Sequence, residues 1–265
     1  MGSLMTPNDI DSAAEILTQA RLENKVIDCI PETVRPGNIQ EAYAIQDRFI
    51  ELLGWEIGGW YCACTNVSIQ TLLDLKEPYY ARLLSRFISH EPAVLNSSDF
   101  PPIVLECEYG FRLGKDLPRR KEAYSRDEVA EAIATVHPTI EVVAGHLKDW
   151  PKQDVWSVIA DNGTDGALIY GEGRTDWRNL DLINMPVVLE VNRQIVREGS
   201  GRNVLGDPLE AFVWFANARS RDGEGLKAGN IHNTGTTTDI IWIEPGDKAK
   251  ATFEGLGAVS LELKA

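Results

Sequence analysis

Two spacings divide this chain. Apolar residues recur at helical intervals over the first quarter, and at strand intervals or in short continuous runs over most of the rest. Residues 8–27 carry Ile10, Ala13, Leu17 and Ala20 on one stripe, with Asn8 or Asp9 as cap, and predict an amphipathic helix. A second helix is predicted over 39–53, where Ile39, Ala42, Ile45, Phe49, Ile50 and Leu53 share a face and Gly54 supplies the stop. Gly58 and Gly59 lead a compact aromatic strand into a turn at Asn66, and residues 68–75 read as a short helix.

Further on, Ser125-x-x-Glu128 is a capping box that opens a helix through Val129, Ile133 and Val136, stopping before Pro138. Asp207-Pro208 opens another through Phe212, Val213 and Ala216. Strand patterns fall at 103–111, 139–143, 167–170, 185–191 and 194–196. Residues 240–243 and 249–253 flank Pro245-Gly246-Asp247 as an expected hairpin. The pattern predicts an α+β protein, one compact unit with a helical N-terminal region (1–90) set on a β-rich region (91–265).

At 265 residues the chain can bury a substantial core. Its 40 acidic and 26 basic residues give a net charge of −14, without a basic run or basic helical face, which argues against nucleic acid and anionic membranes as partners. The first residues lack the basic and apolar blocks of a signal peptide, and Gly2 with Ser3 or Thr6 is a weak match to a myristoylation start. No stretch approaches the roughly 20 apolar residues of a membrane span. Cys62-x-Cys64 is too tight for a zinc knuckle, and Cys29 and Cys107 lie far from it. Reduced thiols in the cytoplasm are expected. His90, His137, His146 and His232 are scattered, without metalloprotease spacing.

The chemistry concentrates at Ile103-Val104-Leu105-Glu106-Cys107-Glu108-Tyr109. In a strand, Glu106 and Glu108 share a face, their Cα atoms roughly 6–7 Å apart. Two carboxylates so placed repel, and burial makes each charge costlier. A hard divalent cation relieves both, with oxygen ligands favouring magnesium or manganese over zinc. The competing reading is two solvated glutamates on an exposed face. Glu141, amid Ile140, Val142 and Val143, is a second anomaly of the same sign. Asp161 and Asn162 end an apolar run, where polar side chains either reach a site or form a turn.

In order, Ala42-Tyr43-Ala44-Ile45-Gln46, Glu106-Cys107-Glu108 with Phe111-x-Leu113-Gly114-x-Asp116-Leu117-Pro118, Pro138-Thr139-Ile140-Glu141, Ile159-Ala160-Asp161-Asn162, Leu205-Gly206-Asp207-Pro208 and Leu226-Lys227-Ala228-Gly229-Asn230 form a set of motifs. With these motifs the chain resembles the 2-keto-4-pentenoate hydratase / 4-oxalocrotonate decarboxylase group of the fumarylacetoacetate hydrolase superfamily. The resemblance implies a mixed β-roll with a helical N-terminal part, usually in a homo-oligomer. It implies Mg²⁺ or Mn²⁺ held by Glu106, Glu108 and Glu141, a small-molecule carbonyl acid as substrate, and a metal-stabilised enolate in hydration or decarboxylation. Thr234-Gly235-Thr236 falls where the substrate carboxylate is bound, and Asp161 or Asn162 would orient water or substrate.

The chain departs from the group at Gly59-Trp60-Tyr61-Cys62-Ala63, the best gapless match, which puts Tyr61 where a lysine is usual and makes it the candidate acid/base; a register shift onto Gly54-Trp55-Glu56-Ile57-Gly58 would put Glu56 there instead. That replacement leaves two alternatives to lyase activity: an isomerase, tautomerase or cyclase acting on a larger metabolite, or a catalytically silent binding protein.

Overall fold

The computed structural model describes residues 5–265; the N-terminal residues read above for targeting signals fall partly outside them, at 1–4. The helices are α1 (Pro7–Leu22), α2 (Ile39–Leu53), α3 (Val67–Leu72), α4 (Arg126–Ala132), α5 (Val155–Ala160) and α6 (Pro208–Asp222). The strands are β1 (Ile57–Ala63), β2 (Tyr79–Leu84), β3 (Ile88–His90), β4 (Ala93–Asn96), β5 (Val104–Leu113), β6 (Leu117–Pro118), β7 (Ile133–Val143) and β8 (Asp165–Tyr170), followed by β9 (Pro186–Val191), β10 (Gln194–Ser200), β11 (Gly225–Leu226), β12 (Ile231–Asn233), β13 (Ile241–Trp242), β14 (Lys248–Phe253) and β15 (Gly257–Lys264). The architecture is α+β.

Helix α2 has the predicted bounds, capped by Asn38 and closed by Gly54 in the left-handed conformation (φ 62°). Helix α1 differs at both ends. Its cap is Thr6, not Asn8 or Asp9, because Thr6 and Asp9 form a reciprocal capping box and Pro7 fits the first turn. It stops at Leu22, and the chain beyond it bridges to Leu147 through Ile27.

The helix read through Ile133 and Val136 ends instead at Ala132. The β-branched run from Ile133 joins β7, pairing Ile133 with Leu113 and Val136 with Phe111. Pro138 is tolerated there because the β7–β8 ladder starts one residue later, at Thr139–Tyr170. The expected hairpin across Pro245-Gly246-Asp247 is also corrected. Strand β13 pairs with β5, whereas β14 pairs with β9 and β15, so the two flanking segments enter different sheets.

An eight-stranded sheet runs β2-β1-β12-β5-β7-β8-β3, with β13 added on β5. A five-stranded sheet, β10-β9-β14-β15-β4, packs over it, and the main core lies between them under α6. A second apolar cluster joins α1, α2 and the end of α5. Strands from both sides of residue 90 share the large sheet, so the helical region is joined to the β-rich one by backbone pairing. At the parallel β1–β12 contact, a Cβ on Gly59 would lie 1.8 Å from the Ile231 carbonyl oxygen. Only glycine permits that approach.

Candidate metal centre and its cavity

Strand β5 carries Glu106 and Glu108 on one face, and the antiparallel register sets Glu141 of β7 directly opposite Glu106. One carboxylate oxygen from each of the three lies within 4.8 Å of the others. Glu108 and Glu141 are buried, and Glu106 is partly so. Two neighbours fix their aim. The Asn233 amide on β12 donates to Glu141 Oε2 at 3.0 Å, and the Gly235 backbone N–H donates to Glu108 Oε2 at 2.8 Å.

Burial, and then mutual repulsion, make these groups hard to ionise. Burial pushes the Glu106 carboxyl up to about 7. It lifts Glu108 well above the usual range, with Glu141 and Glu106 adding to the effect. Glu141 is raised by burial and by Glu106, with the Asn233 bond partly opposing the rise. No Lys, Arg or His is among the described residues lining the cavity around them. Three converging oxygen donors, two of them oriented by neutral N–H groups and none with a protein cation among the described lining residues, fit a hard divalent ion. Glu106, Glu108 and Glu141 would hold it.

Tyr61 of β1 lies in the same cavity wall, 2% exposed, with its hydroxyl donating to the Asn162 carbonyl. Burial, and secondarily the charge of Glu141, raise its phenol well above the ordinary value, so it keeps its proton at neutral pH. Gly235 and Thr236 line the cavity, whereas Thr234 turns its hydroxyl toward the Tyr109 carbonyl at 3.3 Å. Gly235 has φ +97°, and a Cβ there would fall 1.9 Å from Thr65 Oγ1.

Asp161 and Asn162 are not brought to the cavity. Asp161 accepts the His146 backbone N–H at 2.9 Å, and burial pushes its carboxyl up to about 7. The Asn162 side chain clamps the backbone of Arg82 on β2, accepting its N–H at 2.9 Å and donating to its carbonyl at 2.8 Å. The Asn162 side chain holds the β2–α5 junction, Asp161 ties the end of α5 to the segment at His146, and the Asn162 carbonyl holds Tyr61.

Sequence reasoning passed over Asn233 and the Gly235 amide, which support the carboxylates, and most of the apolar cavity wall. The wall had left one readable sign. Helix α3 presents Ile69 and Leu72 outward, 43% and 77% exposed, where a solvated helix would carry polar residues.

Three comparisons bear on this geometry. Residues 65–263 match the model of the fumarylacetoacetate (FAA) hydrolase C-terminal family. A 2-keto-4-pentenoate hydratase of Paraburkholderia xenovorans (strain LB400) is 31% identical over 264 residues, covering 98% of this chain and 97% of that protein. The solved structure of 4-oxalocrotonate decarboxylase from Pseudomonas putida G7, complexed with magnesium and adipate, superposes with a TM-score of 0.91 at 27% identity, covering 99% of this chain and 100% of the other.

Proposed function

Because the chain belongs to the fumarylacetoacetate hydrolase family, we propose that it is a divalent-metal-dependent lyase acting on a 2-oxo acid, by hydration or decarboxylation. The observation that carries this reading is the convergence of Glu106, Glu108 and Glu141 in a cavity with no cationic side chain among the described lining residues. Magnesium or manganese is the expected ion, since all three donors are hard oxygens. When bound, such an ion supplies Lewis acidity to the carboxylate and keto oxygens of the substrate.

The protein's own groups set the rest. Asn233 and the Gly235 amide fix the carboxylate oxygens, so the donor set is ordered before substrate enters. The turn at Gly235 and Thr236 borders the space for the substrate carboxylate, with the Gly235 N–H held by Glu108 and the Thr236 hydroxyl by the Thr238 carbonyl, and Thr234 anchors that turn to β5. Tyr61 stays neutral beside the carboxylates, its raised phenol excluding a base role near neutral pH, and its hydroxyl would reach substrate as a donor only by turning from the Asn162 carbonyl. Asp161 and Asn162 act as positioning residues, Asn162 by holding the Tyr61 hydroxyl.

The same proposal places the enzyme in the cytoplasm as a homo-oligomer. Four free cysteines fit a reducing compartment, and no helix among the described residues is long and apolar enough to cross a membrane. Light scattering of the purified protein tests the assembly.

The function is tested by adding Mg²⁺ or Mn²⁺ and following 2-hydroxypenta-2,4-dienoate, 4-oxalocrotonate, oxaloacetate and acylpyruvates by ultraviolet absorbance. Metal-dependent turnover of at least one, with a melting temperature raised by the ion, is expected. A melting temperature indifferent to both ions, together with no turnover, overturns the reading.

A further inference from the structure

Strands β1 and β2 turn one face to the glutamate cavity and the other to a second cleft. Alternation along β1 puts Tyr61 toward the glutamates, and Trp60 and Cys62 away from them. The antiparallel register sets Arg82 beside Trp60 and Tyr80 beside Cys62, so Trp60, Tyr80 and Arg82 share the reverse face. There they meet Arg219, from the last turn of α6, in a cleft of about 930 Å³.

The two guanidiniums on its floor are partnered differently. Both are buried, Arg82 9% and Arg219 7% exposed. Both lie over the Trp60 ring, 4.7 and 3.7 Å from its centroid. Arg82 donates to the Gln46 side-chain oxygen and to the Asp47 carboxylate. Arg219 forms no ion pair among the described residues; its polar neighbour is the neutral Tyr80 hydroxyl, and its Nε has no hydrogen-bond partner. Burial, and to a lesser degree the Arg82 charge, holds it below its ordinary value, but a guanidinium keeps its proton throughout. A buried cation beside a second cation, with no carboxylate of its own, is costly. The ring beneath it and the C-terminal end of α6 offset part of that cost without supplying a full counter-charge.

We propose that this cleft is a second binding site, and that it takes a small organic monocarboxylate on Arg219. A carboxylate matches the planar fork of a guanidinium and relieves the repulsion between the two arginines. The body of the ligand lies against Tyr43 and Trp214, which are half-buried and line the cleft. The mouth restricts the ligand to a single negative charge. Asp47, Glu77, Asp222 and Glu224 line it and are exposed, so a dianion such as a phosphate monoester would meet like charge there. The site is independent of the metal centre, on the other side of the two strands.

Benzoate is the probe, titrated by calorimetry into metal-free protein so that no ion competes for its carboxylate. It should bind at least about tenfold more tightly than benzamide, a neutral molecule of the same shape, and more tightly than phenyl phosphate. Crystals soaked in 4-bromobenzoate should show bromine anomalous density in this cleft. Arg219→Gln should weaken benzoate at least about tenfold. Because that change also removes a buried stacked group, Asp47→Asn is the second variant. The Asp47 side chain is 64% exposed, so the fold is kept, and freeing Arg82 should tighten benzoate about threefold. Glu108→Gln should bind benzoate as the parent does.

Absence of benzoate binding, equal affinity for benzamide, or bromine density only among the glutamates would overturn the site. So would a benzoate affinity unchanged in a folded Arg219→Gln protein, unchanged in Asp47→Asn, or lost in Glu108→Gln. Phenyl phosphate binding more tightly than benzoate would overturn the restriction to one charge.

Discussion

Two groups of buried carboxylates lie within this fold, and they are held in opposite ways. Asp161 and Asp165 sit where α1 approaches the large sheet. There the Arg21 guanidinium lies 3.7 Å from Asp165 and also donates to its backbone carbonyl, while the His146 backbone N–H donates to Asp161. Glu108 and Glu141 each accept from one neutral N–H donor, and Glu106 shares a hydrogen bond with Glu108. Burial raises the carboxyls of both groups, but in the first the chain supplies the nearby positive charge, and that charge draws the pair back down. In the second it supplies none from among the described cavity-lining residues. A fold that brings its own cation to one acidic cluster and withholds it from another marks the second as a place for a cation from outside.

The largest expected effect comes from removing one oxygen donor. Glu108→Gln keeps the shape but should lower Mg²⁺ affinity on the order of a thousandfold, about 4 kcal/mol, and abolish turnover. Without added ion it should melt no lower than the parent, since a raised and unpaired carboxyl has been taken away. Calorimetry and a thermal melt check both halves. Arg21→Met is the counterpart. It leaves Asp165 without its partner and should destabilise the protein by about 3 kcal/mol in denaturant unfolding, with Mg²⁺ affinity unchanged. If both substitutions behaved alike, the distinction between the clusters would be lost.

A smaller effect is expected one layer out. Asn233→Ala removes the amide that aims Glu141 and should weaken Mg²⁺ binding by about ten- to a hundredfold, as supporting hydrogen bonds in metal sites do. The smallest is a pH effect. Carboxyls raised by burial bind protons more readily in the folded state than in the unfolded one. Their contribution to stability is therefore full below the ordinary carboxyl range and is lost as pH rises through about 7. The melting temperature in chelator should fall between pH 5.5 and 8, by about a few degrees. Saturating Mg²⁺ should remove the glutamate share of that slope and leave the share of Asp161 and Asp165. An unchanged slope would show that the ion does not reach Glu106, Glu108 and Glu141.

Much of the site was legible because strand alternation is strict. Glu106 and Glu108 had to share a face, and Glu141 amid β-branched residues had to find a partner. That the partner lies directly across the ladder depends on the β5–β7 register, which no local pattern carries. Ile133 and Val136 suited a helix and a strand equally, and tertiary pairing with β5 decided between them. Residues 240–253 resembled a hairpin because a turn sequence sat between two apolar runs, but neighbouring strands from elsewhere in the chain claimed each run. Asp161 and Asn162 were visible as polar residues ending an apolar stretch. Whether such side chains face a cavity or a backbone depends on the turn geometry, here with Asn162 at φ 49°.

The backbone amide of Gly235 has a consequence beyond holding a carboxylate. The same residue lines the cavity and, through its N–H, steadies Glu108. If the proposed substrate site is right, occupancy above and grip below would be joined: a guest that settled this residue would tighten the hold on Glu108, and its departure would slacken it. Exchange of the ion should consequently be fastest in the moments after release, and slowest while a molecule is in residence.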